Sequence, residues 1–257
     1  SNMSNIIKPD NRLINTAISQ TILDGFVPDY KHPTLSPPAQ YKMWKQRLLV
    51  TQLSGFGGGI TAVGGDVTSY AFDDTGDLLT IPDSSDWDLF TSTTGTDWTI
   101  DLWVKHNDHV SDEIYITHRT GTNDKWEFYH SHGTGVAFVG RWASVTQINC
   151  SAPTSGEITD TDWHHIAMCK VGDEVGTYLD GNQICFATMG GTGSVNAELS
   201  IGGDSTASAT YFNGFIDETR IINSNAFSAT PVVGLTDTIT VPTSQHSSDS
   251  NTKLLIH

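Results

Sequence analysis

Between Trp98 and Lys105 the chain alternates strictly: Trp98, Ile100, Leu102 and Val104 fall on one side of an extended strand, and Thr99, Asp101, Trp103 and Lys105 on the other. A period of two puts one set on a core face, and the uniformly apolar set is the natural one to bury. Related short runs occupy residues 67–72, 78–81, 114–118, 126–130, 135–142, 163–171, 175–179, 184–188, 198–201 and 211–222, with turn-forming residues between them. Beyond residue 45 nothing has helical periodicity apart from a single turn near 223–227. About a dozen short strands in this rhythm predict an all-β chain built as a two-sheet antiparallel sandwich.

Composition agrees. With 16% charged and 37% hydrophobic residues in a chain of 257, the profile suits a sheet protein whose core is large enough to stand alone. Lys and Arg total 13 against 29 Asp and Glu, a net charge of −16. Such a surface repels phosphate backbones, so nucleic acid is excluded as a partner, whereas divalent cations suit it. No apolar run approaches the roughly 18 residues of a membrane span, and no signal-peptide core opens the chain. Membrane insertion is therefore not expected. Ser1-Asn2 ahead of Met3 reads as a cleavage scar, with Met3 the natural start and synthesis without export. Cys150, Cys169 and Cys185 are odd in number, and three small buried thiols are expected rather than a disulfide framework.

Residues 1–45 differ from the rest. Leu13, Ile14, Ile18, Ile22 and Leu23 fit a short amphipathic helix around 11–23, and Pro28, Pro33, Pro37 and Pro38 then forbid regular structure. This reads as an amino-terminal arm and connector that cannot bury its apolar side alone. It is expected to pack on the sandwich or across a subunit interface that builds a homo-oligomer. The sandwich itself is assigned to residues 46–257, opening with Arg47-Leu48-Leu49-Val50. The glycine-rich loop at 55–65 lacks the Gly-Lys-Ser/Thr and helix of a phosphate cradle. Lys253-Leu254-Leu255-Ile256 echoes the opening run. It is either the first strand of a further repeat or the last strand of this sandwich.

Three segments carry a family likeness: Trp163-His164-His165-Ile166-Ala167, then Tyr178-Leu179-Asp180-Gly181, then Phe212-Asn213-Gly214-Phe215-Ile216-Asp217-Glu218-Thr219-Arg220-Ile221. Asp180-Gly181 also suits the positive φ values of a type I′ hairpin. In this order and spacing the segments resemble the laminin-G-like group of concanavalin A-type jelly rolls, as found in tail-fibre and structural proteins of marine bacteriophages. The resemblance implies a jelly-roll sandwich. That fold serves lectins, adhesion modules, virion appendages and glycan-cleaving enzymes, so activity must be read from side chains.

For hydrolysis, paired carboxylates on one strand face are needed, and no Glu-x-Asp-x-x-Glu occurs. Asp217 and Glu218 are adjacent and would point to opposite faces of a strand. Tyr129, His130, Arg141 and Gln147 have the residue types of a lyase without a lyase arrangement. His130 and His132 are two apart and would share a face suited to a metal, with a third ligand from His118, His164 or His165. Histidine paired with a carboxylate or backbone group is the commoner arrangement. The resemblance implies a structural calcium at Asp217, although Gln52-Leu53-Ser54-Gly55 stands where relatives carry an Asp-Gly. The Asp73/Asp74/Asp77 and Asp83/Asp86/Asp88 clusters read as turns.

Sugars stack their C–H faces on aromatic rings, and Trp103, Tyr129, Trp142 and Tyr178 are the candidate glycan contacts. The expected function is thus a non-enzymatic binding or structural module. It would bind a glycan or host-surface polysaccharide from a virion or extracellular appendage, alongside other virion subunits. A glycan-active hydrolase or lyase of the same fold is the alternative.

Overall fold

The fold follows from strands that are apolar on at least one face and too short to stand apart. The structure, a computed structural model, describes residues 69–151, 156–206 and 210–257. The arm, its helix at 11–23, the strand opening at Arg47 and the glycine loop lie outside the described residues.

In chain order the strands are Tyr70–Asp73 (β1), Leu79–Ile81 (β2), Trp98–His106 (β3), Glu113–Arg119 (β4), Lys125–Ser131 (β5), Gly135–Trp142 (β6), Val145–Cys150 (β7), His164–Val171 (β8), Glu174–Leu179 (β9), Asn182–Thr188 (β10), Leu199–Ile201 (β11), Asn213–Ile222 (β12) and Thr252–Ile256 (β13). A seven-stranded sheet runs β1-β12-β3-β8-β9-β10, with β13 pairing on β12 beyond the reach of β1. A six-stranded sheet runs β2-β11-β4-β5-β6-β7. Strand pairs in both sheets are antiparallel. Helix among the described residues is confined to one 3-10 turn, Ser85–Trp87. This is the two-sheet antiparallel sandwich that the alternation implied and the jelly roll that the resemblance implied.

The inner faces meet as expected. Ile100, Leu102 and Val104 of β3 share one core cluster with Ile116, Trp126, Phe128 and Phe138 of the facing sheet. Removing such side chains from water stabilises by about 1.5–3 kcal/mol each. The β9–β10 turn takes the predicted shape, with Asp180 at φ 47° and Gly181 at φ 85°. Lys253-Leu254-Leu255-Ile256 lies in β13, which pairs antiparallel with β12.

Three features depart from expectation. First, Cys150 and Cys185 form a disulfide, and only Cys169 stays a buried thiol. The bond joins β7 and β10, edge strands of different sheets, a pairing that spacing along the chain does not reveal. Second, β12 carries a bulge. Asp217 faces Trp103 and Arg220 faces Asp101, so one extra residue is inserted, and Glu218 turns to φ 50°. Simple alternation of Asp217 and Glu218 is therefore lost. Third, the seven-stranded sheet is buried on both faces. Val241 packs with Trp103 and Trp163, while Ala229 and Ile239 pack with Ala167, Cys169 and Tyr178. The irregular segment between β12 and β13 thus seals that sheet's outer face.

Candidate functional site

With one outer face sealed, the outer face of the six-stranded sheet becomes the candidate surface. Its residues are set by cross-strand register. Arg119, Lys125 and Arg141 lie side by side on β4, β5 and β6. The next row holds Thr117, Glu127, Val139 and Asn149, and a further row Ile114, Tyr129 and Ala137. Directly opposed residues of this kind are about 5 Å apart, so the rows adjoin. Ile114, Thr117, Glu127 and Ala137 are buried, and Arg119, Lys125, Tyr129, Val139, Arg141 and Asn149 are the members that reach solvent. Arg119 Nη1 lies 3.3 Å from Glu127 Oε2 and 2.9 Å from Asp204 Oδ2, and Lys125 Nζ also contacts Glu127. Arg141 donates through Nη2 to the Ser144 carbonyl at 3.0 Å. Tyr129 and Arg141 are half-buried, and Asn149 is exposed. Burial, and then Glu127 and Asp112, push the Tyr129 hydroxyl above its ordinary value, so it stays a neutral donor and acceptor.

Of the four aromatic residues expected to stack on sugars, only Tyr129 keeps access to solvent. Trp103 is 0% exposed beneath Val241 and Trp163, because the sealed face is its own. Tyr178 is also 0% exposed and donates its hydroxyl to Asp237 Oδ2 at 2.7 Å. Trp142, at 4%, packs its ring at a tilt against Phe90, with centroids 5.4 Å apart. These three side chains are therefore packing residues. Sequence alternation placed Trp103 and Tyr178 off the inner face correctly, but it could not show what covers them.

The histidines sort differently from the expected His130–His132 pair. His132 falls past the end of β5, where its backbone N–H meets Asp112 Oδ1 at 2.7 Å and its Nδ1 meets the His109 carbonyl at 2.5 Å. His118 Nε2 lies 2.9 Å from the Ala197 carbonyl. His164 bridges Asp180 (2.7 Å) and Asp160 (3.0 Å), and His165 reaches Asp101 at 3.2 Å. His130 instead turns inward, on the face opposite Tyr129, which separates the two groups a lyase would need together. It meets His106 and Glu113, all three with ligand atoms within 4.8 Å of one another.

Burial pushes the His106 imidazole down to about 3, helped by His109, and the His130 imidazole down to about 4, helped by His106. Burial pushes the Glu113 carboxyl up to about 8. A readable signal for this cluster existed: His106 continues the inward row of Ile100, Leu102 and Val104, and His130 continues that of Trp126 and Phe128.

Asp217, the expected calcium ligand, is buried at 1% exposure, and its Oδ1 accepts the Glu218 N–H at 2.8 Å. Among the described residues it belongs to no group of three converging ligand side chains.

A two-sheet antiparallel jelly roll with one self-covered sheet and one polar sheet face defines a lectin-type sandwich. Residues 73–232 match the laminin-G-type family described as the concanavalin A-like lectin/glucanases superfamily, and the chain belongs to that family. No curated protein matches it.

Among solved structures, the NanB sialidase of Streptococcus pneumoniae is similar at 14% identity and a TM-score of 0.50, over 63% of this chain and 26% of the sialidase chain. Domain 4 of the extracellular arabinanase AbnA of Geobacillus stearothermophilus, solved with arabinotriose, is similar at 19% identity and a TM-score of 0.47, over 72% of this chain and 78% of its own. The carbohydrate-binding module of a Ruminococcus gnavus sialidase, bound to α2,3-sialyllactose, is similar at 13% identity and a TM-score of 0.37, over 49% of this chain and 74% of its own. No helix among the described residues is long and apolar enough to cross a membrane.

Proposed function

We propose that this protein is a non-catalytic glycan-binding module that holds saccharide on the outer face of its six-stranded sheet. The observation that carries the reading is the asymmetry of the two sheets. One outer face is sealed by the chain's own segment between β12 and β13, and the other carries the register-aligned field of Arg119, Lys125, Glu127, Tyr129, Arg141 and Asn149. Guanidinium, carboxylate and amide groups supply the donors and acceptors that sugar hydroxyls require, and a half-buried phenol supplies a stacking surface. Glu127 and Asp204 both clasp Arg119, which fixes them as hydrogen-bond acceptors. The resemblance to tail-fibre modules supports placing the domain on a virion or surface appendage.

Arabinotriose and sialyllactose, the ligands of two similar domains, are the first saccharides to try, followed by an array. Wild-type protein is expected to bind at least one glycan and return it intact. Tyr129→Ala and Arg141→Ala should each weaken binding about tenfold, equivalent to about 1.4 kcal/mol. Undiminished binding in both variants, no binding on a broad array, or shortened saccharide products would overturn the proposal.

A further inference from the structure

At one end of the sandwich the inward rows bring titratable side chains of both sheets together. There β3 finishes on His106, β4 starts on Glu113, and β5 brings His130 directly opposite Glu113. Two imidazoles and a carboxylate, from three strands of two sheets, meet where the alternating pattern calls for aliphatic side chains. All three are 0% exposed.

Their polar atoms are poorly satisfied by the protein. Both ring nitrogens of His130, Nδ1 of His106 and Oε2 of Glu113 are buried without a hydrogen-bond partner. His106 Nδ1 and Glu113 Oε2 approach to 2.8 Å, yet not in hydrogen-bonding geometry. Glu157 also approaches His130, its Oε1 standing 3.7 Å from Nε2, nearer than the Glu113 carboxylate. His109, on the loop after β3, adds two more buried ring nitrogens without partners, its ring centroid 5.0 Å from that of His106 and 6.1 Å from that of His130. Buried polar groups without partners are rare in native proteins and call for a cause.

We propose that His106, Glu113 and His130 bind one divalent transition-metal ion of the zinc type, with His109 as the fourth donor. Calcium needs six to eight oxygen ligands, whereas imidazole nitrogen with one carboxylate is a donor set for zinc and its neighbours. A tetrahedral zinc with arms of about 2.1 Å needs donors about 3.4 Å apart. The donor atoms of His106, Glu113 and His130 lie within 4.8 Å of one another, so binding requires side-chain rotation to draw them in, and His109, outside that set, must turn toward them.

The surroundings support the ligands. His106 Nε2 is 2.9 Å from the Tyr115 hydroxyl, a contact that fixes the ring and leaves Nδ1 as the coordinating atom. Glu113 Oε1 accepts the Asn213 N–H at 3.3 Å, leaving Oε2 for the ion. A metal here ties β3 to β4 and β5 across the core, as the Cys150–Cys185 bond ties the sheet edges. It lies inside the sandwich and is independent of the glycan face.

The test is a cobalt(II) titration of the full chain after chelator treatment. One equivalent should bind, give the visible bands of four- or five-coordinate cobalt, be displaced by zinc and raise the melting temperature. His106→Ala and His130→Ala should lose stoichiometric binding, while His118→Ala and His257→Ala keep it. Tyr115→Phe, which alters only a group behind a ligand, should weaken binding about 10- to 100-fold.

Should the alanine variants fail to fold, pulsed electron paramagnetic resonance of the copper-loaded wild type must show coupling to at least two imidazole nitrogens. Absence of stoichiometric cobalt, wild-type binding in folded His130→Ala, or copper without imidazole coupling would overturn the assignment.

Discussion

His246 Nε2 lies 2.7 Å from Oδ2 of Asp101, a close contact outside hydrogen-bonding geometry, so the segment that seals the seven-stranded sheet sits against a carboxylate at the middle of β3. Asp101 is fully buried and also meets Arg220 Nε at 2.8 Å and His165 at 3.2 Å. Burial works against its charge, but His246, His165 and Arg220 together hold the carboxyl well below the usual range. Its folded pKa is thus depressed, so its contribution is present above the unfolded value of about 3.9 and is lost as pH falls below it. Asp101→Asn leaves Arg220 without its buried counter-charge and should cost about 3–5 kcal/mol in urea denaturation at neutral pH. A change under 1 kcal/mol, on the scale of an exposed pair, would contradict that pairing.

His164 gives a second pH signature with the opposite sign. Burial lowers its pKa, but Asp180 and Asp160 outweigh burial and raise it from 6.5 to about 8. Stability from this group is complete below pH 6.5 and is lost as pH rises through about 8. The shift corresponds to about 2 kcal/mol. His164→Gln should flatten the stability profile between those limits, measured as denaturation midpoints against pH. An unchanged slope would mean that the two carboxylates do not hold the proton.

The Cys150–Cys185 bond closes a separation of 35 residues between edge strands of different sheets. Reduction, or Cys150→Ala with Cys185→Ala, should cost about 2–4 kcal/mol. Cys169 behaves differently: burial pushes its thiol far up, so it should resist alkylation until the protein unfolds. Mass spectrometry of native, non-reduced protein should find all three cysteines unlabelled. A labelled Cys150 or Cys185 would show that the bond does not form.

Much of this architecture was legible because strand alternation is a local property. The inner row of β3 and the β9–β10 turn at Asp180-Gly181 could be read from neighbouring residues, while the jelly roll was implied by the family resemblance of three segments. β7 escaped because Val145–Cys150 is rich in exposed and polar side chains. The disulfide, the cover over Trp103 and Tyr178, and the meeting of His106 with Glu113 and His130 depend on contacts between distant segments, which periodicity does not encode. The proposed glycan face was legible only at Tyr129: Arg141 was noted as a lyase-type residue, and Arg119, Lys125, Glu127 and Asn149 join them only through the β4–β7 register. The expected calcium site at Asp217 rested on resemblance, and melting with calcium and with chelator is the direct comparison for it.

The claim at the centre of this account is that saccharide lies on the outer face of the six-stranded sheet, and backbone amide chemical-shift mapping tests it most directly. Titration with a glycan identified on the array should shift Lys125, Glu127, Tyr129, Val139, Arg141 and Asn149 together, and leave Asp101, Trp103, Tyr178 and Val241 unmoved. Shifts confined to the segment between β12 and β13, or scattered without a cluster on β4 to β7, would contradict it.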